Sequence, residues 1–345
     1  MFSGSAIESR RRLPSWSGPF LVYALSIACL IWVYWDFDWR TGLPKIWAMH
    51  WPWVALAVIC DIGVYVCQAW RWNLLLGPVA RIPLWRSVRA IYIGLFANEA
   101  LPLRTGEIIR VYLQSHWSRI PFPIAISSAL IERLIDGVWI IVGFVLTTFF
   151  VRLPDNLVLG AGILGSVVAV LSVLLIFAVL ERDQTHRLLD GKKWSKTLLL
   201  LVDGLNTMGR SRSFYAASAA SMLYLLLQVI PIYAIVRGYG VDLSLASSAV
   251  VLVVLRLGTV IPGPPGNIGL FNAFAVLGLT LVGVDRQTAV GLSGVMFFAI
   301  TVPLLLAGCV ALFATGVKIG ELHRHAQDQL RSRTPAPTPV DTSAT

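Results

Sequence analysis

Apolar residues fill this chain in long runs, and polar residues are confined to short interruptions between them. Runs over 20–35, 53–76, 122–150, 157–180, 214–236 and 288–315 suit helices that cross about 30 Å of hydrocarbon at about 1.5 Å rise per residue. The runs 91–100 and 108–113 are too short for that, and 245–261 and 269–282 form a second pair like them. Each pair is split by a break. The first is Asn98-Glu99-Ala100-Leu101-Pro102-Leu103-Arg104-Thr105-Gly106-Glu107-Ile108-Ile109-Arg110, and the second runs from Ile261 through Pro262, Gly263, Pro264, Pro265, Gly266, Asn267 and Ile268 to Gly269. Irregular backbone survives at membrane depth only where protein or trapped water surrounds it, so each pair reads as a re-entrant hairpin. The predicted fold is an all-α polytopic membrane protein with about six transmembrane helices plus two re-entrant hairpins.

The order span, hairpin, span occurs over 53–150 and recurs over 214–317. One intervening crossing inverts the second copy, which predicts an inverted repeat. Around the copies lie a basic N-terminus (1–17), a first span with an outer loop (18–52), a linking span with a basic amphipathic segment (151–213) and a tail too poor in apolar residues to fold (318–345). Lys and Arg concentrate at 10–12, 81–89, 182–212 and beyond 318, which predicts both termini in the cytoplasm of a bacterial inner membrane. The amphipathic run 194–208 reads first as part of a positive-inside loop without lipid specificity, with a helix lying on the anionic inner leaflet as the alternative.

Composition agrees. At 57% hydrophobic and 13% charged residues, the chain lacks the polar surface to cover a water-soluble globule. Its net charge of +10 sits between apolar segments and suits cytoplasmic loops and anionic lipid, not nucleic acid. Cys29, Cys60, Cys67 and Cys309 all fall in predicted spans without metal-ligand spacing, so no disulfide, metal or cofactor is expected. Arg10, Arg11 and Arg12 precede a first span with no cleavage site after it, so that span is expected to remain as an anchor.

Charges inside apolar runs are expensive and usually functional. In the first break, Thr105 is a candidate helix N-cap whose following N–H groups, with Arg104 and Arg110, form an anion site suited to phosphate or carboxylate. Glu107 in that first turn either contacts substrate or pairs with an arginine. In the third long run Glu132 and Asp136 share a helix face with Arg133 beside them, leaving spare negative charge that Arg104, Arg110 or Arg256 would balance. This set is either a lock between hairpin and span or a network that opens when a substrate phosphate competes for its arginines. Arg256, Gly263, Gly266 and Asn267 would bring charge and freed backbone from the second break, and Asn98 an amide from the first. Asp61 and Gln68 give the 53–76 run one polar face.

Asn98, Pro102, Arg104, Gly106, Glu107 and Arg110, then Glu132, Arg133 and Asp136, then Pro262, Gly263, Gly266 and Gly269 resemble the lysylphosphatidylglycerol synthase transmembrane-region family, the flippase-like domain of multiple peptide resistance factors. The likeness runs from about residue 15 to 320. It implies a flippase or lipid-handling transporter. Aminoacylated phosphatidylglycerol is one family substrate, and polyprenyl-phosphate-linked or hopanoid lipids are suspected for other members. Two departures stand out: no aminoacyltransferase domain follows the last span, so synthesis of lysylphosphatidylglycerol is not expected, and Asn272 stands where relatives often carry an acidic residue.

The leading expectation is a lipid transporter that moves an anionic or zwitterionic headgroup by alternating access, is not an enzyme, and has membrane lipids with anionic headgroups as partners, together with a lipid-modifying enzyme encoded separately. An ion-coupled carrier of a small anionic solute shares the repeat but needs a cavity closed to lipid. An intramembrane enzyme acting on a lipid phosphate lacks its metal motif here, and a non-catalytic scaffold leaves the buried charges as structural glue.

Overall fold

A computed structural model describes residues 17–101, 105–151, 155–180, 195–259 and 265–316. Within them run helices α1 (Ser17–Tyr34), α2 (Trp39–Trp47), α3 (Trp51–Leu76), α4 (Leu84–Ala100), α5 (Gly106–Ser118), α6 (Phe122–Thr147), α7 (Asp155–Leu180), α8 (Ser195–Gly209), α9 (Arg212–Gly238), α10 (Leu245–Thr259), α11 (Leu270–Leu281) and α12 (Arg286–Thr315), with a 3₁₀ turn at Pro265–Asn267. The basic N-terminus, most of the basic loop before α8, the tail, Pro102, Arg104, Pro262 and Gly263 lie outside the described residues.

By length and composition α3, α9 and α12 can each cross a membrane. Their outer faces are unmistakably apolar. Phe298, Val302, Leu306, Val310 and Phe313 form an exposed stripe along α12, a surface that water does not tolerate at this extent but lipid does. α6 matches them in length at 26 residues but carries Glu132, Arg133 and Asp136. Exposed Trp35, Trp39, Trp47 and Trp51 gather where α1, α2 and α3 meet, as at a membrane–water boundary.

Three local expectations change. The outer loop expected after the 20–35 run contains α2, started by Asp38, whose carboxylate accepts the Arg40 N–H at 3.0 Å. α4 begins at Leu84 instead of residue 91, because its polar first turns are satisfied by neighbours: Arg86 donates to the Trp117 carbonyl at 3.0 Å, near the end of α5, and Ser87 to Asn73 Oδ1. Finally, α8 does not simply offer its apolar face to the leaflet. Val202, Leu205 and Met208 are buried, and Leu201 accepts a hydrogen bond from Ser127 of α6 at 2.8 Å.

The core is double. One apolar cluster joins Trp72, Leu75 and Leu76 at the end of α3 to Ile91 and Ile93 of α4, Ile109 and Leu113 of α5, Ile131 of α6 and Met208 of α8. The other joins Val54 and Ala57 at the start of α3 to Ile232 and Ile235 of α9, Val251 of α10, Leu279 of α11 and Leu292 and Met296 of α12. α3 and α9 pass through both clusters in opposite directions, and the His50 N–H bonds to the Gly238 carbonyl at 2.8 Å where one begins and the other ends. Helix packing corresponds in the two sets. α3 packs on α4, α4 on α5 and on α12, and α5 on α6; likewise α9 packs on α10, α10 on α11 and on α6, and α11 on α12.

The helix pairs α4–α5 and α10–α11 are each drawn tight by glycine. A Cβ on Gly106 would stand 1.9 Å from the Gly94 carbonyl oxygen, and one on Gly258 would stand 2.0 Å from the Phe274 ring. Backbone cannot yield as a side-chain tip can, so Gly106→Val is expected to destabilise the fold by roughly 2–3 kcal/mol or more. Gly63→Ala, whose Cβ meets nothing within 4 Å, should be neutral or slightly stabilising. Thermal unfolding midpoints in detergent distinguish them, and equal midpoints would remove the close approach from the account.

Candidate functional site

Between the two apolar clusters lies a polar layer. α3 supplies Asp61, Tyr65 and Gln68 to it, α9 supplies Tyr224 and Gln228, α4 ends in it with Asn98 and Glu99, and α10 reaches it at Arg256. Two adjoining cavities of about 160 and 150 Å³ occupy the layer and share Tyr65, Glu99, Arg256, Asn267 and Leu304. The two breaks therefore meet. A Cβ added to Gly266 would lie 3.1 Å from Glu99 Oε2, and Gly266 (φ +72°) adopts a backbone that side chains disfavour.

On one side of the layer is a sealed ion network. Glu132 is fully buried; its Oε1 accepts from Arg71 Nη2 at 2.5 Å and Gln68 Nε2 at 2.8 Å, and its Oε2 accepts from Arg110 Nη1 at 2.9 Å. Arg71 also forks onto Asp136, bonds Ser221 at 3.0 Å and stacks over the Tyr224 ring, while Arg110 lies over Trp72. The charge-balancing arginines are thus Arg110 and Arg71. Arg71 is not among the residues expected from sequence, although it lies three residues after Gln68 on the same helical face.

Toward the cavity the network opens. Arg110 continues to Glu107 Oε2 at 2.9 Å, and Glu107 Oε1 accepts from Arg133 Nη2 at 2.7 Å. The Arg133 side chain is 51% exposed and that of Glu107 35%, against none for Glu132. Arg133 was expected beside Asp136, yet it pairs with Glu107: α6 turns Glu132 and Asp136 inward, and the adjacent residue points to the cavity.

The remaining expected residues divide. Asn98, Glu107, Arg110, Arg133, Arg256 and Asn267 line the first cavity, and Gly266 lines the second. Glu132 and Asp136 sit in the sealed network behind them. Thr105 does not cap α5 with its side chain. Its backbone is already helical (φ −62°, ψ −16°), which turns the hydroxyl away from the first N–H groups, and its carbonyl alone receives the Ile108 and Ile109 N–H at 3.1 Å. Arg104 and Gly263 lie outside the described residues. Asn272 is buried away from both cavities, donating to the Tyr34 hydroxyl at 3.1 Å. Asp61 lines the second cavity, only 6% exposed.

The pattern of a family model described as lysylphosphatidylglycerol synthase TM region matches residues 20–308, most of the chain. A UPF0104 membrane protein of the archaeon Methanothermobacter thermautotrophicus is 23% identical, with 85% of this chain and 87% of that protein aligned. No solved structure matches significantly.

Proposed function

This multi-pass membrane protein belongs to the lysylphosphatidylglycerol synthase TM region family, and from that membership and the polar layer we propose that it moves an anionic lipid headgroup between leaflets. Phospholipids and polyprenyl-phosphate-type lipids are the substrate class. The observation that carries the reading is the convergence of both breaks on one buried polar layer, where Arg256 and Asn267 face Asn98, Glu107 and Arg133.

Alternating access needs two bodies that rock about a central site, and an inverted repeat supplies them. Support comes from the corresponding packing of the two helix sets and from the opposite directions of α3 and α9. In this reading α4–α5 and α10–α11 are hairpins that enter from opposite faces, both termini are cytoplasmic, and the protein sits in the cell's inner membrane. Each family of contacts has its task. The Glu132 network holds α3, α5 and α6 as one body, and the exposed Glu107–Arg133 pair yields when a phosphate competes for the guanidinium. The acyl chains stay in the bilayer, no bond is made or broken, and no cofactor takes part. An enzyme encoded separately would supply or use the modified lipid.

The small cavities also favour a second reading, an ion-coupled carrier of a small anionic solute. A proteoliposome assay decides between them. With short-chain fluorescent phosphatidylglycerol placed in both leaflets, the protein should let an impermeant quencher bleach more of the probe over time than empty vesicles allow. No gain with this probe, or with its phosphatidylethanolamine and polyprenyl-phosphate counterparts, together with uptake of a small phosphate or carboxylate anion, would replace the lipid reading with the second.

A further inference from the structure

Arg256 faces two environments. Besides the polar cavities, it lines the inner end of an apolar groove of about 230 Å³ between α6, α9 and α10. The walls of this groove include Val142 and Leu146 of α6, Met222 and Leu226 of α9, and Ala249 and Val253 of α10. Four of them, Val142, Leu146, Met222 and Leu226, are 39–55% exposed on the outside of the bundle, so the groove opens sideways. Among the described residues, Arg256 is the one charged residue that lines it.

The partners of Arg256 point to a missing acceptor. Among the described residues it makes no ion pair, and its Nη2 donates to a neutral group, Oε1 of Gln228. Gln228 is only 6% exposed, and its buried Nε2 has no hydrogen-bond partner among the described residues. A guanidinium and an unpaired amide N–H side by side form a donor set for an oxyanion, since a buried polar group left unpaired is costly. Asp61 and Glu99 line the same cavity and keep it from being a purely cationic trap. Arg256 lies about 16 Å along α10 from Leu245 at the usual helical rise. An anion bound there is deep in the protein, while the groove beside it still reaches the outer surface.

Resting on the lipid-transport reading above, we propose that this groove is a lateral port: it seats one acyl chain of a phospholipid whose phosphate is held by Arg256 and Gln228. The chain then never leaves an apolar surrounding while the headgroup crosses the polar layer. Groove walls and lipid tails are equally apolar, so packing positions the chain and the phosphate contact supplies the affinity.

A photolabelling experiment tests this. Phosphatidylglycerol with a diazirine midway along one acyl chain is mixed into phosphatidylcholine vesicles holding the full chain, and labelled peptides are mapped by mass spectrometry. Label should concentrate on 139–147, 222–229 and 246–253. Leu226→Trp, which plugs the mouth at a half-exposed position, should cut that label about tenfold, and Arg256→Gln should do the same through the lost phosphate contact. Label on the exposed face of α7 should stay constant in both, which reports intact fold and ordinary boundary lipid. Uniform label on every outer helix, unchanged by either variant, would overturn the port, as would crosslinked dimers showing a second copy in the groove. Should Leu226→Trp still move fluorescent lipid at the full rate, the port fails while lipid transport stands. Should the unaltered protein move none, the transport reading itself fails.

Discussion

Glu132→Ala is expected to destabilise the protein by roughly 3–5 kcal/mol, the largest effect of any single substitution at the site. Removal of this carboxylate takes the shared partner from two arginines at once. Arg71 retains Asp136 and Arg110 retains Glu107, so each arginine stays buried with half of its compensation gone. Gln68 loses its acceptor as well. Glu132→Gln keeps the shape and one oxygen but not the charge, so it should fall between the two. Unfolding midpoints in detergent check the order, read beside Arg133→Ala as a variant one residue away. If Glu132→Ala loses under about 1 kcal/mol, a value ordinary for exposed pairs, the network is not what holds α3, α5 and α6 together.

The second large effect concerns transport, with stability nearly unchanged. Arg133→Ala removes a half-exposed guanidinium whose one hydrogen bond among the described residues goes to Glu107. Its cost in stability should stay under about 1 kcal/mol. Lipid movement should fall about tenfold or more, because a charge-assisted contact to phosphate is lost just where the cavity opens. Arg133→Lys should recover only part of the rate, since a point charge does not reproduce a planar fork. Vesicle quenching with fluorescent phosphatidylglycerol measures both. Full activity in Arg133→Ala would take Arg133 out of the path and move the proposed anion contact to the Arg256 side of the layer.

Much of this arrangement could be read from residue order alone. The breaks around Pro102 and Pro262 stood out because Pro, Gly and charge inside apolar runs have few structural excuses. The expected pairing of helix sets rests on counting runs. What escaped at α8 and Arg71 shares a cause: in a bilayer, apolarity no longer tells protein from lipid. α8 looked like a helix for the leaflet, yet the face carrying Val202 and Leu205 turns to protein. Arg71 escaped because an arginine late in an apolar run resembles one that reaches for the interface; only the fold shows it fully buried and held by Asp136. Arg133 was assigned the wrong partner for a simpler reason. Asp136, three residues on, is within reach on the same helix, but it turns inward to Arg71 while Arg133 faces the cavity and Glu107.

The double core carries an electrical consequence. A charge in the polar layer has an apolar cluster above it and another below, and neither spans the whole thickness. A membrane voltage of about 100 mV is worth about 2.3 kcal/mol for one elementary charge taken across the full thickness. Here that drop is divided between two thinner insulators. On the transport reading, a headgroup that paused at Arg256 or Arg133 would meet the field in two instalments, and whichever core gave way would set which instalment it met first.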